Sequence, residues 1–177
     1  MNQEEEQLVS SCRHRDAKAC RQLYDRYAPF LLGVCMRYVC DRDAAQDVLH
    51  DGFVKIFANL HKLKSADSLK SWMSSIMVNT AINTLRHRHA TDSLDEMEES
   101  RIPVVLEDDA FDRYTVEQIL SVLQTLPDVH RAVFNLYAVE GYPAEEVADR
   151  FCLKPVTVRS IAFRVRKQLM ELLENEN

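Results

Sequence analysis

Glycine and proline are scarce in this 177-residue chain, at three and five residues. The two strongest breakers of helices are thus nearly missing, and alternating β-type runs are scarce as well, which disfavours a hairpin-rich sheet protein. No hydrophobic run approaches the about 20 apolar residues needed to span a bilayer, and no apolar signal segment follows MNQEEEQ, so a cytoplasmic location is expected. The five cysteines (Cys12, Cys20, Cys35, Cys40, Cys152) are odd in number and nowhere spaced C-x-x-C. Cys12 and His14 stand close together, but buried or idle thiols in a reducing compartment explain such cysteines better than a metal site. A Gly-rich phosphate loop, a nucleophile elbow and an HExxH motif are also missing, so neither an enzyme nor a cofactor is expected.

Leu, Ala, Arg, Glu and Asp dominate instead, which favours an all-α chain. The net charge of −6 is unevenly spread. Residues 1–90 hold 13 Lys+Arg against 10 Asp+Glu, residues 91–112 hold one Arg against nine acids, and residues 113–177 hold 8 against 9. The acidity therefore belongs largely to the middle segment, TDSLDEMEESRIPVVLEDDAFD, whose dense like charge reads as a tether. The expected organisation is a helical domain over 8–90, an acidic linker over 91–112 and a second helical domain over 113–173.

In the first domain, Asp16–Ala28 places Ala19, Leu23 and Tyr27 on one face with Asp16 as a cap, and Pro29 is expected to start a new helix through Val39. Asp41–Leu60 carries an apolar stripe of Ala45, Val48, Leu49, Phe53, Ile56 and Phe57. HKLKSADSLK interrupts the periodicity before Ser71–His89, where Trp72, Ile76, Asn79, Asn83 and Arg86 share a broad face.

In the second domain, Tyr114–Leu126 and Pro127–Val139 read as amphipathic helices, and Gly141 ends the latter. Beyond it, Lys154–Gln168 (KPVTVRSIAFRVRKQ) carries five positive charges and no negative one. Upstream, Val147, Ala148 and Phe151 are expected to point inward, Cys152 and Leu153 to form a turn, and Val158 and Ile161 to close the pocket. Counted from Ala144, Ala148 is fifth, Cys152 ninth and Val158 fifteenth, the usual spacing of a helix-turn-helix. Cys152 stands where glycine is most often found. The second helix, opened by Pro155, would bury Val158, Ile161, Ala162, Val165 and Leu169. It would present Val156, Thr157, Arg159, Ser160, Phe163, Arg164, Arg166 and Lys167 to the DNA major groove. A solvated basic face is the plain alternative.

Two sets of motifs give the chain its resemblance. The first is LYDRYAPFLLGVCMRYVCDRDAAQDVLHDGFVKIF followed by LKSWMSSIMVNTAINTLRHRH; the second is LPDVHRAVFNLYAVEGYPAEEVADRF…TVRS. Together they resemble the extracytoplasmic-function group of the sigma-70 family of bacterial RNA polymerase sigma factors, across nearly all of residues 10–173. The family's D-x-x-Q-[DE]-x-F pattern stands here as Asp47 to Phe53, with His50 where Gln is common and Gly52 in place of an apolar residue. Ile161 stands where many members carry Arg.

The resemblance implies two helical domains, sigma region 2 and a helix-turn-helix region 4, joined by the linker. Asp47, His50, Asp51 and Phe53 would dock on the clamp helices of the polymerase's largest subunit, although Phe53 also fits the core. The segment His61–His89 would recognise the promoter −10 element through Lys64, Ser65, Asn79, Asn83, Arg86 and Arg88, with HKLKSADSLK able to form a pocket for a flipped base. Trp72 fits the core better than a stacking platform. The recognition helix would read the −35 element through Thr157, Arg159, Ser160, Phe163, Arg164 and Lys167. The linker would run through polymerase channels or act as a plain tether. Residues such as Leu136 or Tyr137 would meet the polymerase flap, and an anti-sigma factor is the expected regulator. Two rival readings are a helix-turn-helix repressor that binds DNA without polymerase, and an interaction module with a solvated basic helix.

Overall fold

The computed structural model describes residues 3–89 and 121–175, and among these it contains helices and no strand. The chain divides into two compact units, Met1–Thr84 and Leu85–Asn177. The acidic segment 91–112 and the start of the helix expected at Tyr114 lie outside the described residues.

The first unit opens with α1 (Gln3–Arg13), a helix the sequence reading does not include. Its first turn holds Glu4, Glu5 and Glu6 and its last holds Arg13, the arrangement favoured by the helix dipole. Leu8, Val9 and Cys12 form its buried side. The Tyr27 hydroxyl donates to the Glu5 carboxylate, and burial together with that bond raises the phenol to about 12.

Asp16 caps α2 (Ala17–Met36) as expected, accepting from the Ala19 N–H at 2.9 Å. Pro29, by contrast, does not start a helix; it lies inside α2. The buried positions Ala19, Leu23, Tyr27, Leu31, Val34 and Cys35 stay in phase across it, so one continuous face is buried. Pro29 and Asp25, one turn before it, are both exposed, so the carbonyl that loses its helical donor can turn to water. Burial of the apolar face outweighs the lost bond. It also raises the Cys35 thiol to about 11 and the Cys12 thiol to about 12, with Cys20 adding to the latter, so both stay protonated at neutral pH.

Asp41 caps α3 (Arg42–Asn59), accepting from the Ala44 N–H at 2.7 Å. The expected stripe is buried, apart from the half-buried Phe57. Short 3-10 turns at Leu60–Lys62 and Ala66–Ser68 lead into α4 (Leu69–His89). Gly52 explains itself at the α3–α4 crossing. A Cβ there would fall on the thioether sulfur of Met77 and 2.8 Å from its methyl carbon, so the missing side chain is replaced by Met77 from the facing helix.

In the second unit residues 121–124 are helical, and α5 (Asp128–Phe134) follows with Pro127 at its cap. It runs into a π-helical turn over Asn135–Val139, where the Glu140 N–H reaches the Asn135 carbonyl at 2.8 Å. Gly141 adopts φ +74, ending this element as expected. Next come α6 (Ala144–Phe151) and α7 (Pro155–Asn175). Pro143 sits at the cap of α6.

Between α6 and α7, Cys152 adopts φ 56 and ψ 40, and the Leu153 N–H closes on the Ala148 carbonyl at 2.9 Å. This is the left-handed position that normally selects glycine. A side chain there costs about 1–2 kcal/mol, partly offset because glycine loses more backbone entropy on folding. Cys152→Gly is therefore expected to stabilise the second unit by about 0.5–1 kcal/mol, read as a higher urea midpoint at unchanged slope. A lower midpoint would show that the thiol makes a contact worth more than the strain.

Candidate nucleic-acid interface and docking faces

The helix-turn-helix is built from complementary apolar faces. Val147, Ala148 and Phe151 of α6 are buried, as are Val158, Ile161, Ala162, Val165 and Leu169 of α7, each where the spacing placed it. Lys154 starts α7 by accepting from the N–H groups of Thr157 (2.9 Å) and Val158 (3.2 Å). Glu145 and Glu146 occupy the first turn of α6, and Arg150 pairs with Glu146 at 2.6 Å while lying 4.6 Å from the centre of the Tyr142 ring.

Outward from that core, α7 presents Arg159, Arg164 and Lys167 exposed, with Thr157, Phe163 and Arg166 half-buried. Val156 is 40% exposed, an uncovered apolar group beside them. Arg159 lies 3.5 Å from Glu145 and Lys167 lies 3.7 Å from Glu171, both as exposed pairs. Such pairs contribute about 0–1 kcal/mol, so both cations can exchange carboxylate for phosphate or a base edge at little cost. Ser160 is less exposed than expected: it is 8% exposed and its hydroxyl accepts from Arg164 at 2.9 Å, which helps to orient Arg164. The helical period does not account for this burial, since at about 100° per residue position 160 falls on the side of α7 opposite Val158, Ala162, Val165 and Leu169; Arg164, one turn on, reaches back to it.

A second basic and amide-rich area lies in the first unit. The outer side of α4 and the end of α3 form a groove of about 330 Å³ that brings Trp72, Ile76, Asn79 and Asn83 together with Lys55, Asn59 and Lys62. Lys55 donates to the Thr80 hydroxyl at 3.1 Å across the groove, and Asn59 donates to the Lys55 carbonyl at 2.9 Å. Trp72 is half-buried, with part of its ring on the wall. Lys55, Asn59 and Lys62 are absent from the sequence-based set. The i, i+4 spacing of Lys55 and Asn59 on the polar side of α3 is the signal that marks them. Lys64 and Ser65 are exposed on the neighbouring loop and do not line the groove. Ser65 instead caps the second 3-10 turn, accepting from the Asp67 N–H at 3.3 Å. Arg86 is exposed, and Arg88 lies in the last turn of α4, its side chain outside the described residues.

The outer face of α3 carries Asp47, His50 and Asp51, all exposed, and continues one turn on to Val54, which is 70% exposed. Phe53 does not share this face: it is 3% exposed, with its ring 4.5 Å from Tyr24 and 5.8 Å from Phe57. Tyr24 in turn stacks on His50 at 6.5 Å and 15°. Phe53 therefore backs the face through Tyr24. In the second unit Leu136 is fully buried and Tyr137 half-buried, whereas Val139, on the π-helical turn, is 60% exposed.

Residues 23–91 match sigma-70 region 2, and residues 116–169 match sigma-70 region 4. The chain is 29% identical to the RNA polymerase sigma factor CarQ of Myxococcus xanthus, covering 88% of this chain and 89% of that one. It is 28% identical to the RNA polymerase sigma-H factor of Pseudomonas aeruginosa over 97% of this chain and 95% of the relative. It is 27% identical to the ECF RNA polymerase sigma-E factor of Haemophilus influenzae, with coverages of 96% and 93%. Among solved structures, the fold is similar to the sigma factor RpoE of Bartonella quintana, crystallised with the anti-sigma factor NepR, at a TM-score of 0.50 and 21% identity over 89% of this chain and 98% of that one. With both regions present in order, and relatives aligned along nearly its whole length, the chain belongs to the sigma-70 family of RNA polymerase sigma factors and to its extracytoplasmic-function group.

Proposed function

We propose that this protein is a promoter-specificity subunit: it binds the core of bacterial RNA polymerase in the cytoplasm, directs it to −35 and −10 elements and helps open the DNA there. Catalysis of RNA synthesis belongs to the polymerase. The observation that carries this reading is the ordered pair of family regions, each folded with its polar face outward and its apolar face spent on its own core. A repressor of the helix-turn-helix class has no need of the first region. Among the described residues no helix is long and apolar enough to cross a membrane.

In this reading α7 enters the major groove at the −35 element. Arg159, Arg164 and Lys167 supply bidentate or point-charge contacts, Thr157 near the helix start meets a phosphate, and Phe163 and Val156 offer apolar contact to thymine methyls. The −10 element meets the other unit. Amides of Asn79 and Asn83 suit base edges, Lys64 and Ser65 lie on the loop beside a flipped base, and Arg86 and Arg88 neutralise phosphate. Polymerase docks on the α3 face of Asp47, His50 and Asp51, where exposed acids surround Val54. Val139 replaces Leu136 as the apolar contact to the flap. An anti-sigma factor is the proposed regulator, as the similar RpoE is crystallised with one.

Two substitutions test the two kinds of surface. Arg159→Ala should weaken binding at the −35 element by about 1–3 kcal/mol and relax the base preference at one position, measured by holoenzyme binding to a set of single-base variants. A uniform loss on all sequences would make Arg159 a phosphate contact. Asp51→Arg should reduce affinity for core polymerase by about tenfold or more, read in a titration of labelled core, because it reverses charge on the docking face. The thermal midpoint should not move, since Asp51 is exposed; unchanged core affinity would remove α3 from the interface.

A further inference from the structure

The loop between α3 and α4 is held from outside by a residue that lies beyond the matched sigma regions. Arg13, in the last turn of α1, donates from Nε to the Leu60 carbonyl at 3.3 Å and from a terminal nitrogen to the Leu63 carbonyl at 2.6 Å. These carbonyls belong to the turn where the chain leaves α3, and the Leu63 N–H already closes on Leu60 at 3.3 Å. Carbonyls at a helix end lack intrahelical donors, and a cation there also meets the negative end of the dipole. One planar fork meets the two carbonyls from two nitrogens held in a fixed geometry, whereas an ammonium offers its donors from a single point.

The fork is delivered from a fixed position. α1 is held along its length by buried Leu8, Val9 and Cys12, at its start by the bond from Tyr27 to Glu5, and after its end by Arg15 in the left-handed region at φ 58. On the loop side, Leu63 and Leu69 are buried, so the exposed Lys64 and Ser65 sit between two anchors, the first of which Arg13 fixes.

We infer that Arg13 is a positioning residue for −10 recognition: it pre-forms the loop that carries Lys64 and Ser65, so that a base is met without first ordering the backbone. The inference rests on the proposed role of this loop in reading the −10 element. Pre-ordering lowers the entropy cost of binding, and its loss falls on the contacts the loop makes.

The test uses holoenzyme assembled from bacterial core polymerase with the unaltered chain, Arg13→Ala or Arg13→Lys. The probes are duplex fragments from which the unaltered holoenzyme starts transcription, remade with single-base changes through the −10 and, separately, the −35 element. Opening is read from permanganate reactivity of unpaired thymines, and folding of each variant from its helical circular dichroism. Arg13→Ala is expected to lower the preference for matched over mismatched −10 bases by about fivefold to tenfold, while the −35 preference and core affinity stay as they were. Arg13→Lys, which keeps the charge but not the planar two-nitrogen fork, should recover part of that preference. An unchanged −10 preference, or equal losses at both elements in step with lost helicity, would overturn the inference and leave the proposed function standing. An unaltered holoenzyme with no −10 preference at all would overturn both.

Discussion

The crossing of α3 and α4 is the contact on which the first unit depends. Gly52 leaves a space that Met77 fills, so the two helices approach more closely there than a side chain at 52 allows. About one turn further along both helices, Lys55 reaches the Thr80 hydroxyl at 3.1 Å on the floor of the polar groove. The same approach sets the geometry of the groove, and Asp47, His50 and Asp51 stay exposed on the outer face of α3. The proposed docking face and the groove are neighbours on α3, where Asp51 and Lys55 stand one turn apart. Close packing at a single methyl-sized gap is stiff, so the groove and the docking face are fixed relative to one another.

The second unit solves a similar problem with backbone strain in place of a small residue at a crossing. Two short helices must meet steeply enough for one to project into a groove, and the chain reverses through a left-handed residue to do so. Cysteine occupies that position, and the unit accepts the cost because Val147, Ala148, Phe151, Val158 and Ile161 together bury far more than the strain opposes. Arg159 and Lys167 of α7 then need no dedicated core: their partners Glu145 and Glu171 are exposed carboxylates that phosphate can replace. In the proposed function, an acidic chain with one basic segment is expected to bind DNA weakly on its own and to act with polymerase.

Much of this was legible in the sequence because it follows from periodicity. The burial of Val158, Ile161, Ala162, Val165 and Leu169, the cap at Asp16 and the break at Gly141 all follow local rules, and the family regions follow from ordered motifs. The departures share a cause in tertiary packing. Pro29 reads as a helix start, but an in-phase buried face carries α2 through it. Phe53 lies at the border of a polar and an apolar face, where a shift of a few tens of degrees decides exposure, and its ring packs beside Tyr24; Ser160 lies on the outward side of α7 and is approached there by Arg164. Leu136 is buried because it stays in phase with Val129, Ala132 and Val133, and the π-helical turn over Asn135–Val139 takes Val139 out of that phase. α1 was hidden by its run of Glu and Gln, whose value lies in the dipole and in Tyr27, and Arg13 gave no signal because its partners are backbone carbonyls about fifty residues away.

The most direct measurement is run-off transcription by bacterial core polymerase on fragmented genomic DNA, with and without this protein. New, discrete start sites that share one −35 and one −10 sequence are the expected result, and they would supply the promoter sequence at the same time. No new starts, with footprints of the protein on DNA in the absence of polymerase, would contradict the specificity-subunit function and favour a repressor.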